Sequence, residues 1–264
     1  MEFPDRERLR TTFEDVPELY DRVRPTYPSE VFDDLVALAG LPERGRILEI
    51  GPGTGKATVP LAERGFELVC VELGERLAAL ARHNLAGFPN VEIVTAPFET
   101  WEPAAAGFDA IVAFTAFHWI DPGVRYEKTA RLLREGGALA VLETRHVLPE
   151  GGDPFWVEVQ EDYREVFPGE EDDGPPHPNE VVGMSEEIEA SGRFAHPAVG
   201  RYLWDVTYSA EDYVGVLETY SGHRALDREL REELYARIRR RIAARPAATV
   251  TKTYLALLSV ARRI

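Results

Sequence analysis

Three glycines stand within five positions of the stretch ILEIGPGTGKAT (47–58), directly after a short apolar run. Gly51, Gly53 and Gly55 give the spacing G-x-G-x-G, and Lys56 stands where a dinucleotide-binding loop has its last glycine. Glycine permits a tight turn and a close approach of a ligand to the backbone, at an entropic cost. We therefore expect this stretch to be a ligand-binding loop.

Two acidic residues accompany the loop. Glu72 closes the next predicted strand about 20 residues later, which suits a carboxylate that accepts hydrogen bonds from both hydroxyls of a ribose. Glu49, just before Gly51, disfavours a diphosphate but suits a ligand with an ammonium or sulfonium group. These residues indicate S-adenosylmethionine. The alternative is that the glycines only form a turn and that Glu72 is an ordinary surface acid.

The elements that must position these residues follow from hydrophobic periodicity. A helix begins near Ser29, its expected cap, and ends at Gly40. Apolar segments rich in Val, Ile and Leu then alternate with helical patterns, which indicates a parallel sheet covered on both faces and a doubly wound α/β fold. The predicted strands are 46–50, 66–73, 91–96, 108–116 and 138–144. Ligands of such sheets bind outside the carboxyl ends of the strands.

After residue 150 the pattern changes. The segments predicted there are a helix at 155–167, a solvated acidic loop at 169–180, a strand within 194–209, helices at 210–223 and 227–243, and a closing strand at 249–263. We expect the two late strands to pair as an antiparallel edge hairpin, which completes a mostly parallel, seven-stranded sheet. The predicted organisation is a core with an N-terminal capping segment, a helical lid with the acceptor region, and a last strand that returns to the core: residues 1–149, 150–246 and 247–264.

Composition narrows the function classes. With 46 acidic and 30 basic residues the net charge is −16, which disfavours nucleic acid and anionic membranes as partners. Cys70 is the single cysteine, and the longest apolar stretch is too short to span a bilayer. No metal-binding motif is present, and His177 and His196 stand far from other ligand types. We expect a cytoplasmic monomer or homodimer without a metal.

The same residues resemble a known family. Glu49 to Gly55, with Glu72, resemble motif I and the ribose-binding acid of class I S-adenosylmethionine-dependent methyltransferases. YDRVRPTYP (20–28), AFHWID (116–121) and LLREGG (132–137) are similar to segments of a bacterial small-molecule branch that includes enzymes similar to trans-aconitate methyltransferase. The resemblance implies a Rossmann-like fold, S-adenosylmethionine as methyl donor, S-adenosylhomocysteine as product and a small-molecule acceptor.

The resemblance also assigns roles to residues. Glu49 holds the cofactor's amino group, Arg24 reaches its carboxylate, and Pro97 stands where relatives often have an acid for the adenine amine, with Glu99 a weaker candidate for that contact. The cofactor-binding residues that it implies are Tyr20, Arg24, Glu49, Gly51, Gly53, Gly55, Glu72, Leu73, Pro97, Phe98, Thr115 and Ala116.

His118, after the fourth strand, is the candidate catalytic residue. It acts as a base or hydrogen-bond donor toward the acceptor, or else as a structural imidazole above Trp119. Other candidates for the acceptor side are Tyr27, Glu143, His146, Tyr220 and His223, with Phe155, Trp156 and Trp204 as apolar walls. The expected function is methyl transfer to an oxygen of a small molecule, carboxylate or hydroxyl. Alternatives are a non-catalytic module that binds the cofactor and a nicotinamide-dependent reductase, whose loop Lys56 interrupts.

Overall fold

The computed structural model describes residue 6 and residues 9–10, 12–168 and 174–264; the acidic residues 169–173 of the predicted loop lie outside this part. The described helices are α1 (Pro17–Val23), α2 (Ser29–Ala39), α3 (Thr58–Glu63), α4 (Glu75–Asn84), α5 (Pro122–Leu132), α6 (Phe155–Glu158), α7 (Gln160–Val166), α8 (Ser185–Ala190), α9 (Ala210–Glu218), α10 (Ser221–Arg224) and α11 (Arg228–Ala243). The strands are β1 (Arg46–Ile50), β2 (Glu67–Glu72), β3 (Val91–Thr95), β4 (Phe108–Phe114), β5 (Leu133–Val147), β6 (Ala198–Ser209) and β7 (Thr249–Arg262).

The strands form one seven-stranded sheet in the order β3-β2-β1-β4-β5-β7-β6. The pairs β1–β2, β2–β3, β1–β4 and β4–β5 are parallel, and the sheet is mostly parallel with an antiparallel edge pair, as the sequence predicts. The strand order reverses between β1 and β4. In open α/β sheets, ligands bind in the crevice at such a reversal. In this sheet the glycine loop after β1 lies at the reversal.

Two local predictions are wrong. Ser29 is the first residue of α2 rather than its cap, because Pro28 occupies the cap position and Ser29 Oγ donates to the Glu30 carboxylate. The predicted fifth strand, 138–144, begins too late, because β5 starts at Leu133 beside Phe108 of β4 and includes the segment Arg-Glu-Gly-Gly at 134–137. A register shift in that ladder and a φ of 68° at Gly136 accommodate the turn-like sequence inside the strand.

Two predicted helices are divided. The segment 155–167 forms the two short helices α6 and α7 with Val159 between them, and the segment 210–223 forms α9 and α10 with Thr219 and Tyr220 between them. Gly40, in contrast, ends α2 as predicted, with a φ of 49° in the left-handed region. The buried face of α2 consists of Val31, Phe32, Leu35 and Ala39, which follow the helical period.

The chain divides into two compact units with separate hydrophobic cores. Unit 1 comprises residues 1–25, 145–182 and 203–255, and unit 2 comprises 26–144, 183–202 and 256–264. The core of unit 2 contains residues of β1 and β4, such as Leu48 and Ile111, and that of unit 1 is rich in aromatic rings, such as Trp156 and Tyr213. The predicted division at residues 149 and 246 stays a prediction about where cofactor and acceptor bind.

No helix in the described ranges has the length and apolar character needed to cross a bilayer.

Candidate active site

The glycine loop of unit 2 has a backbone that other residues cannot easily adopt. Gly51, Gly53 and Gly55 have φ values of 67°, 60° and 94°. A Cβ atom added to Gly51 would lie 2.6 Å from the Cβ atom of Ala116, in the turn after β4. The loop therefore packs directly against that turn, and Gly51 is required both for its conformation and for the close approach.

Glu72 at the end of β2 ties the loop to its own turn. One carboxylate oxygen accepts a hydrogen bond from the Gly53 amide at 2.9 Å, and the other accepts one from the Gly74 amide at 2.9 Å. These two hydrogen bonds fix the Glu72 carboxylate at the end of β2, beside the glycine loop. Glu72 thus positions the loop.

Glu49 is a buried acid with an unused oxygen. The side chain is 1% exposed. Oε2 accepts hydrogen bonds from Thr58 Oγ1 at 2.7 Å and from Cys70 Sγ, whereas Oε1 is buried and accepts none from any residue that the structure describes. Burial raises the pKa of Glu49 to about 7, outweighing the two donors. A buried, unsatisfied carboxylate oxygen is a place for a ligand cation.

Thr115, directly after β4, has a strained backbone. Its φ is 56°, a region that β-branched residues rarely adopt and that costs about 1–3 kcal/mol. The Thr115 amide donates to the Leu142 carbonyl at 2.7 Å, and its hydroxyl lies 3.3 Å from Thr144 Oγ1 and 3.5 Å from the Tyr27 hydroxyl. Such strain persists where the surrounding structure demands it, and it clusters at functional sites.

The two predicted cofactor residues in the turn after β3, Pro97 and Phe98, differ in their exposure to solvent. Pro97 is exposed, while Phe98 is 4% exposed and belongs to the core of unit 2. Lys128 Nζ lies 5.2 Å from the Phe98 ring centroid and donates to the Glu99 carbonyl at 3.2 Å and to the Trp101 carbonyl. These contacts order the turn. Leu73, after β2, is half-buried.

His118 is half-buried in a 3₁₀ turn, Phe117–Trp119, that follows β4. Its ring centroid lies 4.7 Å from that of Trp119, with an interplanar angle of 44°. Its role as a base therefore stays a prediction, and so does the alternative of a structural imidazole.

Comparison with known proteins decides the family of this site. Residues 47–137 match the model of a methyltransferase domain. An uncharacterised methyltransferase of Mycobacterium tuberculosis is 34% identical over 123 residues, which cover 47% of this chain and 48% of the relative. Residues 47–137, within unit 2, form a methyltransferase domain. The chain spans about half the length of these curated relatives.

Two further similarities to the methyltransferase domain differ in extent. A solved structure from Anaeromyxobacter dehalogenans, named as a type II methyltransferase, has a TM-score of 0.63 at 24% identity and covers 90% of this chain and 97% of its own, which shows the shared fold. A ribosomal RNA small subunit methyltransferase of Geobacter sulfurreducens is 47% identical over 64 residues, 24% of this chain and 23% of the relative.

The methyltransferase domain fits its cofactor in the residues of unit 2. The free Glu49 oxygen suits the amino group, the carboxylate of Glu72 beside the loop suits the ribose, and a glycine at position 53 allows a ligand to approach the backbone closely. The turn at Thr115 and Ala116 contacts the same loop. Within the described ranges no group of His, Cys, Asp or Glu side chains is arranged to hold a metal ion.

Two predicted cofactor residues belong to unit 1. Arg24 donates through Nε to Thr219 Oγ1 at 2.7 Å and through Nη2 to the Thr219 carbonyl at 2.8 Å. Its guanidinium lies 4.3 Å from the Tyr220 ring centroid and 5.1 Å from that of Tyr20. The binding of the cofactor by Tyr20 and Arg24 stays a prediction.

Sequence reasoning missed two features near the predicted residues. Thr144 is the hydrogen-bonding neighbour of Thr115, and only the parallel pairing of β4 with β5 brings these residues together. Lys252 is a buried lysine of unit 1. A single lysine within the otherwise uncharged strand TVTKTYLALLSV was the available signal for it.

Proposed function

We propose that this chain transfers the methyl group of S-adenosylmethionine to an oxygen atom of a small organic acceptor. The observation that carries the proposal is the double hydrogen bond of Glu72 to the Gly53 and Gly74 amides, which fixes a carboxylate beside the glycine loop at the end of β2. That arrangement suits a nucleoside whose sugar has two adjacent hydroxyls.

The bound cofactor supplies a methyl group that its sulfonium already activates. The protein's task is then to align the acceptor oxygen with that methyl group and to exclude water. A carboxylate acceptor needs no base near neutral pH, because carboxyl groups titrate near 4. For a hydroxyl acceptor, we propose that His118 takes the O–H proton on a ring nitrogen as the oxygen–methyl bond forms, while the methyl–sulfur bond of the donor would break and leave S-adenosylhomocysteine as the neutral thioether.

Calorimetry with S-adenosylhomocysteine tests the cofactor part of the proposal. We expect the protein to bind this product and not NADH, and Glu72→Ala to weaken binding by about 10- to 100-fold, since hydrogen bonds to a charged group contribute about 1.5–3 kcal/mol. Glu67→Ala is the matched control, because Glu67 is an exposed acid at the other end of β2. If the product does not bind and Glu72→Ala behaves like the parent, the proposal is wrong.

Methyl transfer from labelled donor tests the acceptor. We expect label in small organic acids or alcohols and a large loss of turnover in His118→Ala if the acceptor is a hydroxyl. Near-normal turnover with unchanged cofactor affinity would show that His118 is not the base. No turnover on any acceptor, with intact cofactor binding, would favour a non-catalytic binding module.

An RNA acceptor is the second candidate, because a ribosomal RNA methyltransferase shares 47% identity over 64 residues. The net charge of −16 disfavours it, since a protein of that charge repels a phosphate backbone. The same labelled donor with purified ribosomal RNA distinguishes the two candidates: label in the RNA fraction would replace the small-molecule proposal.

A further inference from the structure

Unit 1 encloses a lysine among aromatic rings. Lys252, on β7, is 2% exposed. Its Nζ atom lies between 5.1 and 5.6 Å from four ring centroids, those of Trp156, Tyr213, Tyr220 and Tyr254. Removing an ammonium from water is costly, and cation–π contacts of this kind offset a part of that penalty.

The hydrogen bonds of Lys252 are incomplete. Nζ donates to the Tyr220 hydroxyl at 2.9 Å. An ammonium has three donors, and in the described part of the chain no carboxylate forms a salt bridge with Lys252. A buried cation with unused donors and no counterion is a binding place for an anion.

Other polar atoms around the lysine are also unsatisfied. The ring nitrogens His146 Nε2, Trp204 Nε1 and His223 Nδ1 are buried and have no hydrogen-bond partner in the described ranges. The ring centroid of His146 lies 4.2 Å from that of Trp156, and the ring centroid of Trp204 lies 5.2 Å from that of Tyr254. Both side chains therefore contact rings that surround Lys252. Buried polar groups normally have partners, and a cluster that lacks them indicates a missing polar ligand.

A second cation strengthens the positive potential. The Arg24 guanidinium lies 4.3 Å from the Tyr220 ring centroid, so this ring contacts Arg24 on its face and Lys252 at its hydroxyl. In a chain with a net charge of −16, this buried region has the opposite sign, which favours an anionic ligand.

We propose that Lys252 binds the carboxylate of a small ligand, an aromatic or conjugated carboxylic acid whose flat body lies against the surrounding rings. The carboxylate oxygens accept hydrogen bonds from the two unused N–H groups of the ammonium. This site lies within unit 1 and does not depend on the proposed function.

The test compares carboxylates with neutral amides of the same shape. The probes are benzoate, 4-hydroxybenzoate, trans-cinnamate and phenylacetate, each with its amide, in thermal unfolding and calorimetry at pH 6.5 with saturating S-adenosylhomocysteine. We expect at least one carboxylate to bind at least about 10-fold more tightly than its amide, because it forms charge-assisted hydrogen bonds. Binding by none of the four carboxylates, or equal affinity for acid and amide, would overturn the proposal.

Variants locate the site. Lys252→Met should weaken carboxylate binding by about 10- to 100-fold and remove the preference over the amide, and Lys252→Arg should restore part of it. Arg239→Met removes an exposed charge of the same unit, where Arg239 pairs with Glu211, and should change neither. If Lys252→Met does not fold, the comparison of acid with amide in the parent protein and in Lys252→Arg still decides the matter.

This experiment separates the two proposals. Binding of S-adenosylhomocysteine without any preference for carboxylates removes the Lys252 site and leaves the methyltransferase function intact. A carboxylate preference lost in Lys252→Met, in a protein that does not bind the cofactor product, supports the site and removes the proposed function.

Discussion

Two acidic side chains of unit 2 have different tasks because their surroundings differ. Glu72 accepts two backbone amides and keeps its loop in place. Glu49 is buried with one free oxygen, and its pKa lies near 7 because burial outweighs its hydrogen bonds. The first residue fixes the glycine loop, and the second is an acid whose charge state is controlled mainly by its burial.

The pKa of Glu49 predicts a pH dependence of cofactor binding. Only the ionised carboxylate attracts the amino group, so affinity for S-adenosylhomocysteine should rise about tenfold per pH unit between pH 5 and 6 and level off above about 7. Calorimetry over pH 5–8 measures this. Glu49→Gln should bind more weakly with a flat profile, and Glu67→Gln should behave like the parent; a slope that persists in Glu49→Gln would refute the assignment.

At the scale of elements, the site is the meeting point of the loop after β1 with the turn after β4. The strands that carry them are neighbours in the sheet, and their order reverses there. The periodicity of the sequence predicts both strands, but the 2.6 Å approach of Gly51 to Ala116 depends on how β1 and β4 pair. Pairing over 60 residues of chain is a long-range property, which local patterns do not specify.

Gly51→Ala tests this packing. We expect a loss of stability from two causes: about 1–2 kcal/mol for the left-handed backbone and a further penalty from the clash with Ala116. Gly65→Ala is the control, since Gly65 also has a positive φ but no atom within 4 Å of an added Cβ. Adding Ala116→Gly should bring Gly51→Ala to the level of Gly65→Ala in urea unfolding. No rescue would mean that the loop and the turn do not touch.

At the scale of the whole molecule, burial shifts the pKa values of titratable groups in both units. Unit 1 holds two histidines whose pKa is lowered by burial and by the positive charge of Lys252, to about 2 for His146 and about 4 for His223. Both rings are neutral in the folded protein, whereas an unfolded histidine titrates near 6.5. The unfolded chain therefore binds more protons below pH 6.5.

This difference predicts acid sensitivity. Each neutral histidine contributes to the free energy of unfolding fully above pH 6.5. This contribution is lost as the pH falls, at about 1.4 kcal/mol per pH unit between pH 5.5 and 4.5. Glu49 has the opposite effect, because its raised pKa makes its contribution to the free energy of unfolding increase as the pH falls through the same range. Urea unfolding should show a slope smaller by about 1.4 kcal/mol per pH unit in His146→Gln. His83→Gln, an exposed position at the end of α4, is the control and should keep the parent slope; an unchanged slope in His146→Gln would contradict a neutral buried ring.

The sequence by itself determined the alternation of strands and helices, the glycine loop and the acid that ends β2, because periodicity, glycine content and spacing are local properties of the chain. Only the tertiary structure decided that Glu72 accepts a hydrogen bond from the Gly53 amide. The same holds for the strained backbone of Thr115 and for the burial of Lys252 among aromatic rings. These features depend on contacts between distant segments, and burial changes the energy of a charge far more than any local pattern can show.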